Sequence, residues 1–494
     1  MNAIIAPAFV RGTTISDDLM TFGGRGSGTF QSPDPVKLIP HLPLRDPGLL
    51  TDVHALPFEE IVDYLAELGK RLVLADNEYL QEALACSEDW ADLTPSVMRA
   101  SFEQIPRLFE PETVREIAEC TAGIPYLEGW VDRRMSDGRT VSIRAMGARA
   151  LHIVAGNAPV VSALSILRNA ITRSDAVIKT PSNDPLTALA VARTMGDMAP
   201  DHPLTRHVSV AYWKGGDVAV EERLYDPRHI EKIVAWGGFA SISHVVRYIR
   251  PGIELISLDP KRSATIIGSE AFDSDATMRD VARRTATDIG ALNQVACVNA
   301  RVVYVASGLD AAGLERTNAF GRAVYEELQK LPTRVSTKAK RFDPELRANI
   351  DALRANREWY RIHGGAEGEG AVIVSQIEEP VEFHRLLTGR VANIVPVEDP
   401  SVALVHINSY TQTVGIYPEA LKTTLRDTLP LHGAQRLVSL GYAAHPSFAT
   451  PQDAIEPVRR MVKWVVDEAC DPAVVAPLWE LESEAMNELF LNPR

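Results

Sequence analysis

Apolar residues recur every three or four positions between residues 57 and 120, in PFEEIVDYLAELGKRL, NEYLQEALACS and PETVREIAECTAG. That spacing predicts helices. The pattern then changes. In GWVDRRMSDGRTVSIRAMG, the Asp137-Gly138 pair lies between extended runs and predicts a β-hairpin. After it, short apolar strands alternate with amphipathic helices. ARALHIVA, DAVIKTP, HVSVAYW and KIVAWG read as strands; APVVSALSILRNAIT, DPLTALAVARTMGDM and SISHVVRYI read as helices. A second such series starts near residue 270, with helices ATMRDVARRTATDI and AAGLERTNAFGRAVYEELQKL and strands ARVVYVA, AVIVSQI and ANIVPV. Alternation of this kind predicts an α/β fold, a parallel sheet with crossover helices of the nucleotide-binding type. Residues 1–50 are rich in Gly, Pro and Ser and read as an irregular arm.

Composition narrows the class. A chain of 494 residues is long enough for two or three domains, and 46% hydrophobic residues can fill their cores. The net charge of -14 and the absence of a long Lys/Arg run oppose nucleic-acid binding. Four cysteines without CxxC spacing fit a reducing compartment. The first twenty residues lack a basic n-region, and no long uninterrupted apolar run suggests a membrane span. The cytoplasm is the default location. Twelve histidines form no HExxH or HxxEH set, so no metal site is expected.

Candidate chemistry gathers at strand ends. Cys297, in IGALNQVACVNAR, falls in a loop between a helix and a strand, where a thiolate can meet substrate; it also suits a small buried hydrophobe. Cys86, Cys120 and Cys470 lie on helix-like segments and read as packing residues. In Ala155-Gly156-Asn157-Ala158-Pro159 a strand turns into a helix. The Asn157 amide there can donate to an oxyanion or simply cap the turn. Lys179 ends the next strand and can reach a ribose or phosphate, or sit in solvent. Trp236-Gly237-Gly238 follows a strand and opens a helix, where glycines admit a phosphate; a lone Gly-Gly pair is weak evidence.

Taken in order, AGNAP, KTPSNDPLTALAVART, NQVAC, HINSYTQTVGIYPEAL and EPVRRMVKWVVDE resemble the aldehyde dehydrogenase superfamily. More closely they resemble the acyl-CoA reductases of luminous bacteria, over roughly residues 145–470. The resemblance implies Cys297 as nucleophile and Asn157, with the Cys297 N–H, as oxyanion donors. It implies a nicotinamide cofactor held by Ala155, Gly156, Lys179, Ser182, Trp236, Gly237 and Gly238. Ser182 stands where NAD-specific relatives place a glutamate; a neutral serine tolerates a 2′-phosphate, which favours NADPH over NADH. The hydrolytic glutamate of aldehyde dehydrogenases has no counterpart in ISLDPKRSATII, where Asp259 is near but does not align. The glutamate that steadies the nicotinamide ribose is not evident near GRVANIVPVED.

The implied activity is reduction of an acyl-CoA to the aldehyde through a covalent cysteine thioester. The competing readings are aldehyde oxidation, reduction of an acyl-adenylate or acyl-protein donor, and a silent scaffold of the same fold. The implied domains are an arm (1–50), a Rossmann-type nucleotide-binding domain (51–129 and 147–268), an oligomerisation hairpin (130–146), a catalytic α/β domain (269–460) and a helical tail (461–494). A homodimer or homotetramer is expected, with an acyl-activating partner enzyme compatible with the chemistry.

Overall fold

The computed structural model describes residues 4–24, 28–259, 261–475 and 477–480. Two seven-stranded sheets carry the fold. In the first, Glu254–Leu258, Lys232–Trp236, Arg149–Ile153, Asp175–Lys179 and Val208–Ala211 lie side by side in parallel. Numbered along the chain, these five strands have the order 3-2-1-4-5 of a Rossmann sheet. Arg149–Ile153 and Asp175–Ile178 are buried throughout, as expected of a sheet covered on both faces. Helix Pro159–Ile171, almost wholly buried, starts with proline at its first turn, where no N–H is needed.

The second sheet has the order Tyr360–Gly364, Ala371–Ser375, Val391–Val397, Ala300–Ala306, Arg262–Ile267, Thr411–Tyr417, Arg436–Ser439. All but the first strand run parallel to their neighbours. Arg262–Ile267 already belongs to this sheet, so the change of sheet falls between Leu258 and Arg262, ahead of the expected boundary at 268/269. Helix Asp275–Gly290, capped by Ser274 on the Thr277 N–H, packs on helix Ala311–Lys330 beneath it.

The hairpin forms as read. Val131–Arg134 pairs antiparallel with Thr140–Met146, and Gly138 takes a φ of 93° in the turn. A third strand, Lys463–Ala469, adds to Thr140–Met146 over its full length. This corrects the helical tail. Trp464, Val465 and Val466 favour extended backbone, and the open hairpin edge supplies their hydrogen bonds. The rest of the expected tail helix, from residue 481, lies outside the described residues.

The irregular arm is also corrected. Ala8–Val10 adds antiparallel to Val208–Ala211 and continues into Thr13–Ile15; Ile4–Ile5, Thr29–Pro33 and Leu19–Gly23 form a small sheet. Phe9 and Phe30 are buried, and tertiary burial overrides a composition that reads as loop. Arg11 locks the arm: its guanidinium donates to both Asp175 carboxylate oxygens, at 2.5 and 3.0 Å. His207 bridges Asp175 (2.9 Å) and Asp52 (2.8 Å).

Burial pushes the Asp175 carboxyl up, but hydrogen bonds from His207 and Arg11 more than offset this and leave it below the usual range. Burial likewise disfavours charged His207, and the two carboxylates outweigh it, raising the ring above 6.5. The Asp175 contribution to stability is therefore present above the usual carboxylate pKa and lost as pH falls through the depressed value. The His207 contribution is complete below 6.5 and lost as pH rises through the raised value. Arg11→Ala should cost about 2–3 kcal/mol in urea unfolding at pH 6, less than a fully buried pair because Arg11 keeps some contact with water. The cost should shrink as pH falls through the Asp175 titration; a pH-independent cost would mean that Arg11 acts through packing alone.

Candidate active site

The strand order places the candidate residues along one edge. Arg149–Ile153 has Asp175–Lys179 on one side and Lys232–Trp236 on the other, with Ile153 opposite both Lys179 and Ala235. Ala155, Gly156 and Asn157 thus leave the sheet between Lys179 and Trp236, at the carboxyl ends of the strands and the point where strand order reverses. Gly156 is held tightly: its carbonyl accepts from Asn183 Nδ2 at 2.8 Å, and a Cβ there would meet Asn183 Oδ1 at 2.2 Å. Only glycine fits. Ser182 lies in the same Pro181–Asn183 turn, partly exposed. Lys179 Nζ lies over the rings of Tyr212 and Trp213, at 5.7 and 5.6 Å. Burial pushes its ammonium down to about 8, with Glu221 pulling it up. Gly237 abuts Ser241, while Gly238 caps helix Phe239–Val246 and faces open space. Asn157 is exposed on its turn.

Cys297 sits in the loop that enters strand Ala300–Ala306. The loop begins with three consecutive ordinary residues in left-handed backbone: Leu292 (φ 53°), Asn293 (52°) and Gln294 (63°). Buried amides hold it. Gln294 Nε2 donates to the Ala300 and Val391 carbonyls, and its Oε1 accepts from the Val391 N–H. Asn299 donates to the Asp288 and Ala291 carbonyls and accepts from the Ala296 N–H. Ser263 Oγ donates to the Cys297 carbonyl at 2.7 Å and accepts from the Thr413 N–H at 3.1 Å, tying the cysteine to two strands. Leu292 and Val295 border the same large apolar cluster as Ala158, Val160, Val161 and Trp236.

Around the thiol, burial pushes the pKa up, Asp453 adds to the rise, and the Gln412 amide, the Cys297 N–H and Arg301 oppose it. Sequence reasoning passed over three of these partners. Gln412 is the second residue of strand Thr411–Tyr417, inside the HINSYTQTVGIYPEAL motif; its position in that motif was the available signal. Asp453 stands in a two-residue turn closed by Gln452 and Ile455, and both Asp453 (φ 54°) and Ala454 (61°) are left-handed without a glycine to announce it. Arg301 is the fourth residue after the cysteine, on the entering strand.

The other cysteines differ. Cys86 is buried in helix Glu78–Trp90, its thiol pushed up to about 12 by burial; Cys120 is exposed on a helix, and Cys470, also exposed, follows a strand instead of lying on a helix. Asp259, just past Glu254–Leu258, lies 3.9 Å from Lys261. Glu398 accepts from the Leu309 N–H at the far end of the second sheet, away from the cysteine loop. Among the described residues no His/Cys/Asp/Glu cluster is placed to hold a metal, and no helix is long and apolar enough to cross a membrane.

Solved structures define the class. Escherichia coli lactaldehyde dehydrogenase superposes with a TM-score of 0.71 at 13% identity, covering 94% of this chain and 99% of its own. The NADP-dependent glyceraldehyde-3-phosphate dehydrogenase of Bacillus halodurans superposes with a TM-score of 0.69 at 11% identity, over 94% and 99%. The fold is that of the aldehyde dehydrogenases. The chain belongs to the acyl-CoA reductase (LuxC) family, whose model matches residues 53–464. Long-chain acyl-protein thioester reductases of Vibrio harveyi and Photorhabdus laumondii are 27% and 29% identical to it over 322 residues, 65% of this chain. The chain spans 64% of the length of each of these two relatives.

Proposed function

We propose that this protein reduces an acyl thioester to the aldehyde with a nicotinamide cofactor, through a thioester on Cys297. The observation that carries the reading is the anchored loop. Its backbone is pinned from two strands, while Gln412, the Cys297 N–H and Arg301 oppose the rise that burial and Asp453 impose on its thiol. The Cys297 thiolate attacks the acyl carbonyl, a sulfur–carbon bond forms, and the donor thiolate leaves and takes a proton. Asn157 and the Cys297 N–H receive the charge that develops on the carbonyl oxygen. No glutamate stands at the end of Glu254–Leu258; Asp259 follows that strand and lies 3.9 Å from Lys261. Cys297 then leaves as thiolate when the aldehyde departs.

The strand-edge crevice suits a nicotinamide nucleotide. A Cβ at Gly156 would displace the Asn183 side chain that closes the turn, and the Lys179 ammonium, pushed down to about 8 by burial, stands at the same edge. Ala155, Gly156, Lys179, Ser182, Trp236, Gly237 and Gly238 would hold it, and the neutral Ser182 favours NADPH with NADH as alternative. When bound, the reduced nicotinamide supplies the hydride. The donor is an acyl-CoA on the family's description, while the names of the relatives favour an acyl-protein thioester. Either donor would come from a separate acyl-activating enzyme. The sheet of Val131–Arg134, Thr140–Met146 and Lys463–Ala469 has two open edges and exposes Trp130 and Val466, which suits pairing in a homodimer or homotetramer.

Turnover of a donor panel (acyl-CoA, acyl-protein thioester, acyl-adenylate, free aldehyde) with NADPH and NADH tests the reaction. Aldehyde oxidation without reduction of any donor would overturn it. Cys297→Ala should abolish reduction in a folded protein, and wild-type alkylation should rise with pH beyond 9, since the thiol lies above its usual value. Full activity of Cys297→Ala would rule out the covalent route. Asn157→Ala should slow single-turnover donor release by about 10²–10³ while leaving cofactor affinity intact; an unchanged rate would make Asn157 a turn residue. Sedimentation at micromolar concentration should show a dimer or tetramer, and a monomer would rule out pairing through the hairpin sheet.

A further inference from the structure

The first sheet carries a buried carboxylate that no step above uses. Glu221, in helix Val218–Leu224, is 1% exposed, and its two oxygens bind two different segments. Its Oε1 accepts from the Gly216 N–H at 3.2 Å, and its Oε2 meets His244 Nε2, in helix Phe239–Val246, at 2.6 Å. Arg247 donates to His244 Nδ1, which leaves the ring N–H on Nε2, toward Glu221. Gly216 also lies against the imidazole: a Cβ there would stand 3.9 Å from His244 Cε1. Adhesion between the helices does not need this carboxylate. Val220, Leu224, Tyr225 and Val245 of the same two segments already share one apolar cluster, and the Tyr225 and Tyr248 rings meet edge-on at 5.0 Å. A carboxylate buried amid such packing gives no more stability than an apolar residue of its size, so its bonds serve position.

The position concerns the strand-edge crevice. Helix Val218–Leu224 follows strand Val208–Ala211 through residues 212–217, and helix Phe239–Val246 follows Lys232–Trp236 through Gly237-Gly238. Between those two strands lie Arg149–Ile153 and Asp175–Lys179, and both helices share the apolar cluster of Leu151, Ile153 and Val177. The 212–217 loop starts beside Lys179: Ala211 pairs with Lys179, whose Nζ lies over the Tyr212 and Trp213 rings. The Glu221–His244 bond thus ties the loop that leaves beside Lys179 to the helix that opens at Gly238. The loop has little side-chain packing of its own at its glycines. A Cβ on Gly215 would meet nothing within 4 Å, and Gly216 holds a φ of 89°. The Glu221 carboxylate fixes the N–H of that second glycine.

We propose that the Glu221–His244 bond is a clasp that pre-organises the crevice for the adenosine half of the nicotinamide nucleotide, with Glu221 and His244 as positioning residues. The assignment rests on the nicotinamide reading above. The clasped loop leaves the first sheet beside Lys179, whereas Cys297, where the hydride must arrive, is anchored on strands of the second. The part of a dinucleotide that lies at Lys179 is therefore the part remote from the reacting ring, which is the adenosine. A loop already fixed by Glu221 need not be ordered when the nucleotide binds, so the clasp contributes to affinity without touching the ligand. It makes no difference to a nucleotide that lacks the adenosine half.

The test compares NADPH with reduced nicotinamide mononucleotide, each titrated by its own fluorescence against the full chain without acyl donor. Glu221→Leu and His244→Leu should each raise the NADPH Kd about tenfold and leave the mononucleotide Kd unchanged. The double variant should bind NADPH no more weakly than either single one, because both remove the same bond. His244→Gln, which keeps a donor for Glu221, should bind NADPH nearly as the wild type does. In the nucleotide-free protein, hydrogen exchange of the 212–217 amides should be faster in both leucine variants. Equal weakening of both nucleotides, additive losses in the double variant, or an unchanged NADPH Kd would overturn the clasp. Should Glu221→Leu fail to fold, the half-buried His244, compared as Leu against Gln, decides alone. A wild type that binds neither nucleotide would overturn the cofactor reading and the use of the clasp with it, whereas unchanged exchange at 212–217 would overturn the clasp alone.

Discussion

Cys297 is held in place by side-chain amides doing what backbone normally does. Three left-handed residues in a row, none of them glycine, cost about 1–3 kcal/mol each. Such a stretch cannot pair as helix or strand, and its neighbours are buried, so every polar group needs a partner. Gln294 takes the place of a ladder, joining the start of Ala300–Ala306 to that of Val391–Val397. Asn293 reaches out of the second sheet, donating to Thr94 Oγ1 and accepting from the Thr337 N–H. Each such bond nets about 1 kcal/mol and costs more to lose. The Asn-Gln pair of the NQVAC motif is thus the framework that lets the next turn present a sulfur.

The same enclosure creates a chemical problem. A buried thiol resists ionisation, and Asp453 makes this worse, yet the thiolate is the reactive form. Among the described residues no histidine figures in the Cys297 surroundings; His152, buried in the first sheet, has both ring nitrogens without hydrogen-bond partners and is pushed down to about 3 by burial, then by Arg168. Donors and cations remain as the means of stabilising a thiolate. They stabilise a sulfur anion, as forming the proposed acyl thioester on Cys297 would require.

Much of the architecture was legible because its strands are buried on both faces: ARALHIVA, DAVIKTP and ANIVPV read as continuous apolar runs, and glycine and proline mark their ends. The Asp137-Gly138 turn was legible for the same local reason. The arm and the tail were not. Ala8–Val10 is three residues long, and Lys463–Ala469 is strand only because an open edge lies beside it. In the site, Cys297 and the strand-end residues could be read from motifs in sequence order. Asp453 could not: its turn carries no glycine, and the partner that gives it meaning is 41 residues away. The missing glutamate was visible as an absence, but the pairing of Gln412 with Asp453 was visible only in three dimensions.

The tail that carries Asp453 explains how the two sheets are kept in register across the site. From residue 452 onward it binds the first sheet. Gln452 accepts from Arg168; Met461 packs on Val234 and Ile256; Arg460 donates to Glu254 at 2.7 Å and Lys463 to Glu231 at 2.9 Å. Gln412 and Cys297 belong to the second sheet. The 2.5 Å contact between Gln412 and Asp453 is therefore a bond between the second sheet and the tail bound to the first, and both residues act on the Cys297 thiol. A shift of one sheet against the other by an ångström would break it, since hydrogen bonds weaken steeply with distance and angle. The polarity of the thiol site is thus coupled to the packing that positions the strand-edge crevice. That packing runs on directly into the sheet at residues 463–469, which pairs with the hairpin along its full length.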